Sequence, residues 1–107
     1  MSSKYYAIGA EWCGYSKKQQ QTLAAMDKPE AMLMCQNSQG EMSSDLTAEQ
    51  KQICEAAMPN VRGFPTWVEQ KADGSVAPVE KEQTIKQGVH FVDQNRACEA
   101  LPGFCDN

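Results

Sequence analysis

Tyr5-Tyr6-Ala7-Ile8-Gly9-Ala10-Glu11-Trp12-Cys13-Gly14-Tyr15-Ser16-Lys17-Lys18 is the stretch on which the reading of this chain turns. Its first part is a short apolar run that reads as a strand over 4–9. From Ser16 to Met26 there is neither glycine nor proline, and helix formers dominate, so a helix over 14–26 is predicted, stopped before Pro29. A cysteine therefore stands where a strand hands over to a helix. Main-chain N–H groups left unpaired at a helix start, together with the helix dipole, favour a negative charge there. A thiolate is such a charge. Lys17 and Lys18 push the same way, unless they are simply a solvated helix face. Cys13 is thus a candidate nucleophile for thiol–disulfide exchange; the competing reading is a buried structural cysteine.

Working outward, Ala31-Met32-Leu33-Met34-Cys35 is a continuous apolar run, as expected of a strand buried on both faces. Residues 36–45 form a polar loop. Thr47 with Gln50 three positions later fits a capping box that opens a second helix. Along it Leu46, Ile53, Cys54 and Ala57 recur at helical spacing, and Pro59-Asn60 ends it. Residues 64–70 read as the next strand, and Asp73-Gly74 as a hairpin turn. The return strand is ambiguous between 76–79, which Pro78 weakens, and 83–87. His90 to Leu101 reads as a last helix, closed by Pro102-Gly103. The order β-α-β-α-β-β-α makes this an α/β chain with a mixed four-stranded sheet flanked by helices. Strands alternating with helices imply right-handed βαβ crossovers, and the trailing hairpin adds an antiparallel edge.

With 107 residues, the chain is read as one domain, 1–107. A hydrophobic fraction of 41% argues against wholesale disorder. A net charge of −4 with scattered basic residues offers no footprint for nucleic acid. No run approaches the roughly 20 apolar residues that span a bilayer, so no membrane insertion is expected. Nor does Met1-Ser2-Ser3-Lys4 lead into a signal peptide; if the protein is exported, the exporting segment lies outside this chain.

Ala10-Glu11-Trp12-Cys13-Gly14 followed by Tyr15-Ser16 resembles the W-C-x-x-C active site of the thioredoxin superfamily, with Ser16 where the second cysteine stands. Val61-Arg62-Gly63-Phe64-Pro65-Thr66-Trp67-Val68 resembles that superfamily's second signature, a cis-proline loop facing the active site. The two motifs, in this order, extend the resemblance over nearly the whole chain. It implies a thioredoxin fold, and its spacing favours 83–87 as the return strand. It further implies that Cys13 and the position of Ser16 form the redox-active centre. Trp12, Gly14, Tyr15, Phe64 and Pro65 would line the substrate side, with Phe64 offering main-chain groups to an extended substrate. An X–Pro bond accepts the cis form at a cost of only about 0.5–1 kcal/mol, which suits Pro65 to that loop. Two departures stand out. Many thioredoxins bury an acid six positions before the reactive cysteine, where this chain has Ala7, which puts efficient turnover as a reductase in doubt. And Ser16 cannot resolve a mixed disulfide, because an alkoxide is far too basic to form at neutral pH.

Five cysteines leave one without a partner. Were Ser16 a cysteine, the six would fall into pairs 13–16, 35–54 and 98–105. Ser16 therefore either replaces a resolving cysteine or marks a natural one-cysteine site. A pair like Cys35 and Cys54 is found in the thioredoxin domains attached to vitamin K epoxide reductase homologues, which Pro65-Thr66-Trp67 also resembles. Cys98 and Cys105 would clip the tail to the last helix. Alternatively the four cysteines ligate zinc, although no close C-x-x-C pair is present. Disulfides would point to an oxidising compartment.

The function expected is a thiol–disulfide oxidoreductase of the thioredoxin or protein-disulfide-isomerase type. It would act as a monomer on cysteine-containing protein substrates, with a separate redox partner and no cofactor. Two alternatives remain open. One is a one-cysteine glutaredoxin using glutathione, which Cys13-Gly14-Tyr15-Ser16 resembles; against it, Gln87-Gly88-Val89-His90 stands where glutaredoxins carry Gly-Gly-x-Asp. The other is a redox-inactive binding module built on the cis-proline loop. His90 is read as a solvated surface residue.

Overall fold

The computed structural model describes residues 4–79, 98, 101 and 103–105. The elements are β1 (Lys4–Ala10), α1 (Gly14–Ala25), β2 (Met32–Gln36), α2 (Ala48–Ala57), β3 (Thr66–Gln70) and β4 (Val76–Pro78). They build a mixed four-stranded sheet in the order β2-β1-β3-β4, carrying two helices. β1 and β2 run parallel, with Ile8 beside Leu33. β3 runs antiparallel to β1, with Ala7 opposite Trp67, and β4 antiparallel to β3. The crossover expected from alternation therefore holds for β1-α1-β2 only; the chain after α2 enters the sheet reversed.

The two-residue alternation of the strands sorts the core into two layers. Ala7, Met32 and Trp67 face one way and pack with Leu23 of α1. Their successors Ile8, Leu33 and Val68 face the other way and pack with Ile53 and Ala57 of α2. The Cys35–Cys54 disulfide, with Cα atoms 5.7 Å apart, ties β2 to α2 within that second layer. In the first layer Phe104 stands edge-on to Trp67 at 5.5 Å and to Tyr5 at 6.3 Å. Beside it, Cys105 is bonded to Cys98. The four sulfurs that a zinc site would have needed are thus consumed in two disulfides.

Local chemistry explains the element ends. At α2, Thr47 Oγ1 accepts the Gln50 N–H at 3.1 Å and Gln50 Oε1 accepts the Thr47 N–H at 3.0 Å, the expected reciprocal cap. α1 ends where Asp27 enters the left-handed region (φ 62°) and Lys28 N–H returns to the Leu23 carbonyl. Ala31, expected to begin a strand, instead closes a 3-10 turn that starts at Pro29. The next strand begins at Thr66 rather than residue 64, because Phe64 and Pro65 belong to the loop before it.

The strand that returns from the Asp73-Gly74 turn to pair with β3 is Val76–Pro78, and 83–87 lies outside the described residues. Pro78 is tolerated because β4 is an edge of the sheet among the described residues, and the ladder continues through Val79, whose N–H donates to the Trp67 carbonyl at 3.0 Å. The expected last helix lies outside the described residues apart from Cys98 and Leu101, and His90 lies outside them altogether. Among the described residues no helix is long and apolar enough to cross a membrane.

Candidate functional site

Cys13 occupies the N-cap of α1 in extended conformation (φ −99°, ψ 122°), and its own side chain caps none of the helix N–H groups. The sulfur is free for other use. Cys13 is the free cysteine among the described residues and is partly exposed. It is held by its main chain: its N–H donates to the Ala10 carbonyl at 3.0 Å, and its carbonyl accepts from Lys17 N–H at 3.2 Å. The thiol donates to the Phe64 carbonyl oxygen at 3.6 Å, across 51 residues of sequence. The Phe64–Pro65 peptide is cis. Two loops far apart in sequence thus meet at one sulfur atom.

Trp12 forms a wall of this site. Its ring stands edge-on to Phe64, centroids 5.6 Å apart, and its Nε1–H donates to Gln36 Oε1 at 2.8 Å. Even so anchored, Trp12 is 54% exposed, and so is Tyr15. A large aromatic ring held rigid yet left in water is unusual away from a contact surface. Among the described residues no hydrogen bond or ring contact ties Tyr15 to the cluster around the sulfur. Gly14 is exposed, and a Cβ built on it would meet nothing within 4 Å, so packing does not require glycine there. Pro65 is buried.

Ser16 lies apart from the other candidates in character. It is fully buried, and its Oγ accepts the Ala10 N–H at 3.0 Å. Its hydroxyl oxygen is thereby given to the backbone rather than to solvent. Ala7, at the position where many thioredoxins carry an acid, is fully buried in the apolar layer against Leu23 and Trp67. No acid underlies the sulfur at that position.

Three supporting residues escape a reading of the sequence. Gln36 holds the Trp12 ring from the end of β2. Gln19, fully buried on α1, accepts from Trp67 Nε1 at 3.2 Å and so joins the helix to β3 just after the proline. Gly9 lets Ser16 and Met32 press against β1, since an added Cβ would meet Met32 Cε and Ser16 Oγ. Only Gly9 carried a signal: a glycine inside a strand marks close approach. For the two glutamines nothing in the pattern distinguishes them from their solvated neighbours.

Among the described residues no cluster of His, Cys, Asp and Glu could hold a metal ion. No family model, no curated protein and no solved structure matches this chain. The case for a function therefore rests on the site itself.

Proposed function

We propose that this chain is a thiol–disulfide oxidoreductase with a thioredoxin fold, acting on protein disulfides through Cys13. The observation that carries the reading is the partly exposed Cys13 sulfur, 3.6 Å from the Phe64 carbonyl at a cis Phe64–Pro65 bond. Ionised, that sulfur attacks one sulfur of a substrate disulfide. A Cys13–substrate disulfide forms, the substrate's S–S bond breaks, and its second sulfur leaves as a thiolate. The α1 start supplies unpaired N–H groups and the positive end of the helix dipole to the ionised form. Trp12 and Phe64 shape an apolar flank for the incoming chain. The Phe64 main chain, beside the sulfur, suits pairing with an extended substrate once the thiol is ionised and no longer donates to the Phe64 carbonyl.

Release then requires a second thiol from outside. Ser16 has no sulfur, and its oxygen is buried and engaged with Ala10 N–H. An external thiolate attacks the substrate's sulfur in the mixed disulfide; the Cys13–substrate bond breaks, Cys13 leaves as a thiolate, and the external sulfur and the substrate are joined in a new disulfide. The test is to mix the reduced-at-Cys13 protein with a disulfide-containing protein, quench with acid and identify adducts by mass spectrometry. A covalent adduct mapped to Cys13, absent in Cys13→Ser, is expected. A protein that binds such partners equally well after Cys13→Ser, without adducts, would instead be a binding module.

A further inference from the structure

Thr66 opens β3, paired with Ile8 of β1. Two-residue alternation puts it on the same face of the sheet as Val68. It is only 4% exposed. A β-branched residue suits a buried strand position, and valine would offer the same shape without a polar atom. A hydroxyl shielded from water needs a partner. Here Thr66 Oγ1 donates to the Gly63 carbonyl at 2.5 Å, three residues back along the chain.

That bond spans the loop that meets the reactive cysteine. Gly63 and Thr66 are its two ends, with Phe64 and Pro65 between them. Pro65 has no N–H with which to fasten the loop from its middle. Thr66 is held to β1 by the sheet, so its hydroxyl refers the position of Gly63 to that strand. The same strand places the sulfur: Ala10, two residues beyond Ile8, accepts the Cys13 N–H at 3.0 Å. The Phe64 carbonyl stands 3.6 Å from the sulfur, and the Phe64 ring 5.6 Å from that of Trp12. Both sides of the site are thus measured from β1, and the Thr66 side chain is the link on the loop side. It acts through the loop, because its bond ends on the residue before Phe64.

We propose that Thr66 is a positioning residue for exchange at Cys13. Its bond to Gly63 sets where the main chain and ring of Phe64 stand beside the sulfur. The proposal rests on the exchange reading above and adds a residue that the reaction depends on without touching the reacting atoms. A polypeptide disulfide, whose flanking chain meets Phe64, needs that placement. A small disulfide, which meets the sulfur alone, does not.

The test compares two probes on the full chain. One is the small aromatic disulfide dithiobis(nitrobenzoate). The other is a short peptide whose single cysteine is joined to thionitrobenzoate. In both cases the Cys13 thiolate forms a new disulfide and thionitrobenzoate leaves as the coloured thiolate, so the chemistry read is the same. Thr66→Val keeps the shape and removes the hydroxyl. It is expected to slow the peptide about tenfold relative to the small probe, and Thr66→Ser, which keeps the hydroxyl, is expected to restore the ratio. A merely structural role lowers both rates alike, through loss of folded protein, and leaves the ratio unmoved. A ratio unchanged in Thr66→Val, or lowered as much in Thr66→Ser, overturns the proposal. Should Thr66→Val fail to fold, Thr66→Ala against Thr66→Ser makes the same comparison, since that pair differs in the hydroxyl alone. If Cys13 reacts with neither probe, the exchange reading fails instead. The placement is then read by proton NMR from the nuclear Overhauser contact between the Trp12 and Phe64 rings. Loss of that contact in Thr66→Val and its return in Thr66→Ser supports the positioning role, and a contact unchanged in Thr66→Val overturns it.

Discussion

Ser16 Oγ accepts the main-chain N–H of Ala10 at 3.0 Å, fastening the first turn of α1 to the end of β1. The bond lies where the β1–β2 register shifts, between Gly9 and Ala10. There a hydroxyl six residues on satisfies the Ala10 N–H. The residue that stands where a resolving thiol would be is therefore also a structural clasp, fully buried.

Ser16→Cys is expected to act on both roles at once. Sulfur is larger than oxygen and a weaker acceptor, so the Ala10 N–H is less well satisfied and stability falls by about 1 kcal/mol. Urea unfolding of the reduced protein measures this. At the same time the variant acquires a second thiol beside the first, and catalysed reduction of insulin should appear or rise. Unchanged insulin reduction would mark a one-cysteine site that works only with an external thiol.

Gly9→Ala tests the close approach of α1 to β1. The new methyl group meets the flexible end of Met32, which can move, and Ser16 Oγ, which the Ala10 bond holds in place. Overpacking of this kind costs about 1–3 kcal/mol. The urea midpoint is expected to fall accordingly, with the slope of the transition unchanged.

The two disulfides should be reduced in sequence. Cys35 and Cys54 are both 0% exposed, whereas Cys98 is exposed and Cys105 half-buried. A thiolate must reach a sulfur to attack it. Under graded dithiothreitol, iodoacetamide is expected to label Cys98 and Cys105 before Cys35 and Cys54, as peptide mapping would record. Replacing Cys35 and Cys54 together by alanine is expected to destabilise by about 3 kcal/mol in the chain-entropy account.

The β3–β4 turn should carry a small acid-sensitive contribution. The Ser75 hydroxyl, and next the Ser75 N–H, donate to Asp73 Oδ1 and hold its carboxyl below the usual carboxylate range. A carboxyl whose folded value is depressed stabilises above its unfolded value, and the gain is lost as pH falls through the folded one. Asp73→Asn is therefore expected to lower stability slightly at neutral pH, the gap to wild type closing as the solution is acidified below the carboxylate range. Paired urea titrations across that range measure it.

Much of the fold was legible in order along the chain. The apolar run before Cys13, the unbroken helix after it, the Thr47–Gln50 cap and the Asp73-Gly74 turn each depend on neighbours within a few residues, and each is found. The pairings 35–54 and 98–105 also appear. The misreadings have a common cause. Pro78 weakens a strand in general, but an edge strand leaves the missing N–H unneeded, and edge status is a property of the sheet. The direction of β3 likewise depends on which side of β1 it joins, and alternation of elements does not encode that.

The candidate site divides along the same line. Sequence alone determined that a cysteine would cap a helix after a strand and that a proline loop lay about fifty residues on, since both follow from local propensity and motif. Tertiary structure alone decided that the Cys13 thiol meets the Phe64 carbonyl, that Gln36 holds Trp12 upright, and that Ser16 is given to Ala10. Each of these contacts joins residues whose separation in space is set by the packing of the sheet and helices, and such distances are a property of the assembled layers rather than of any stretch of chain.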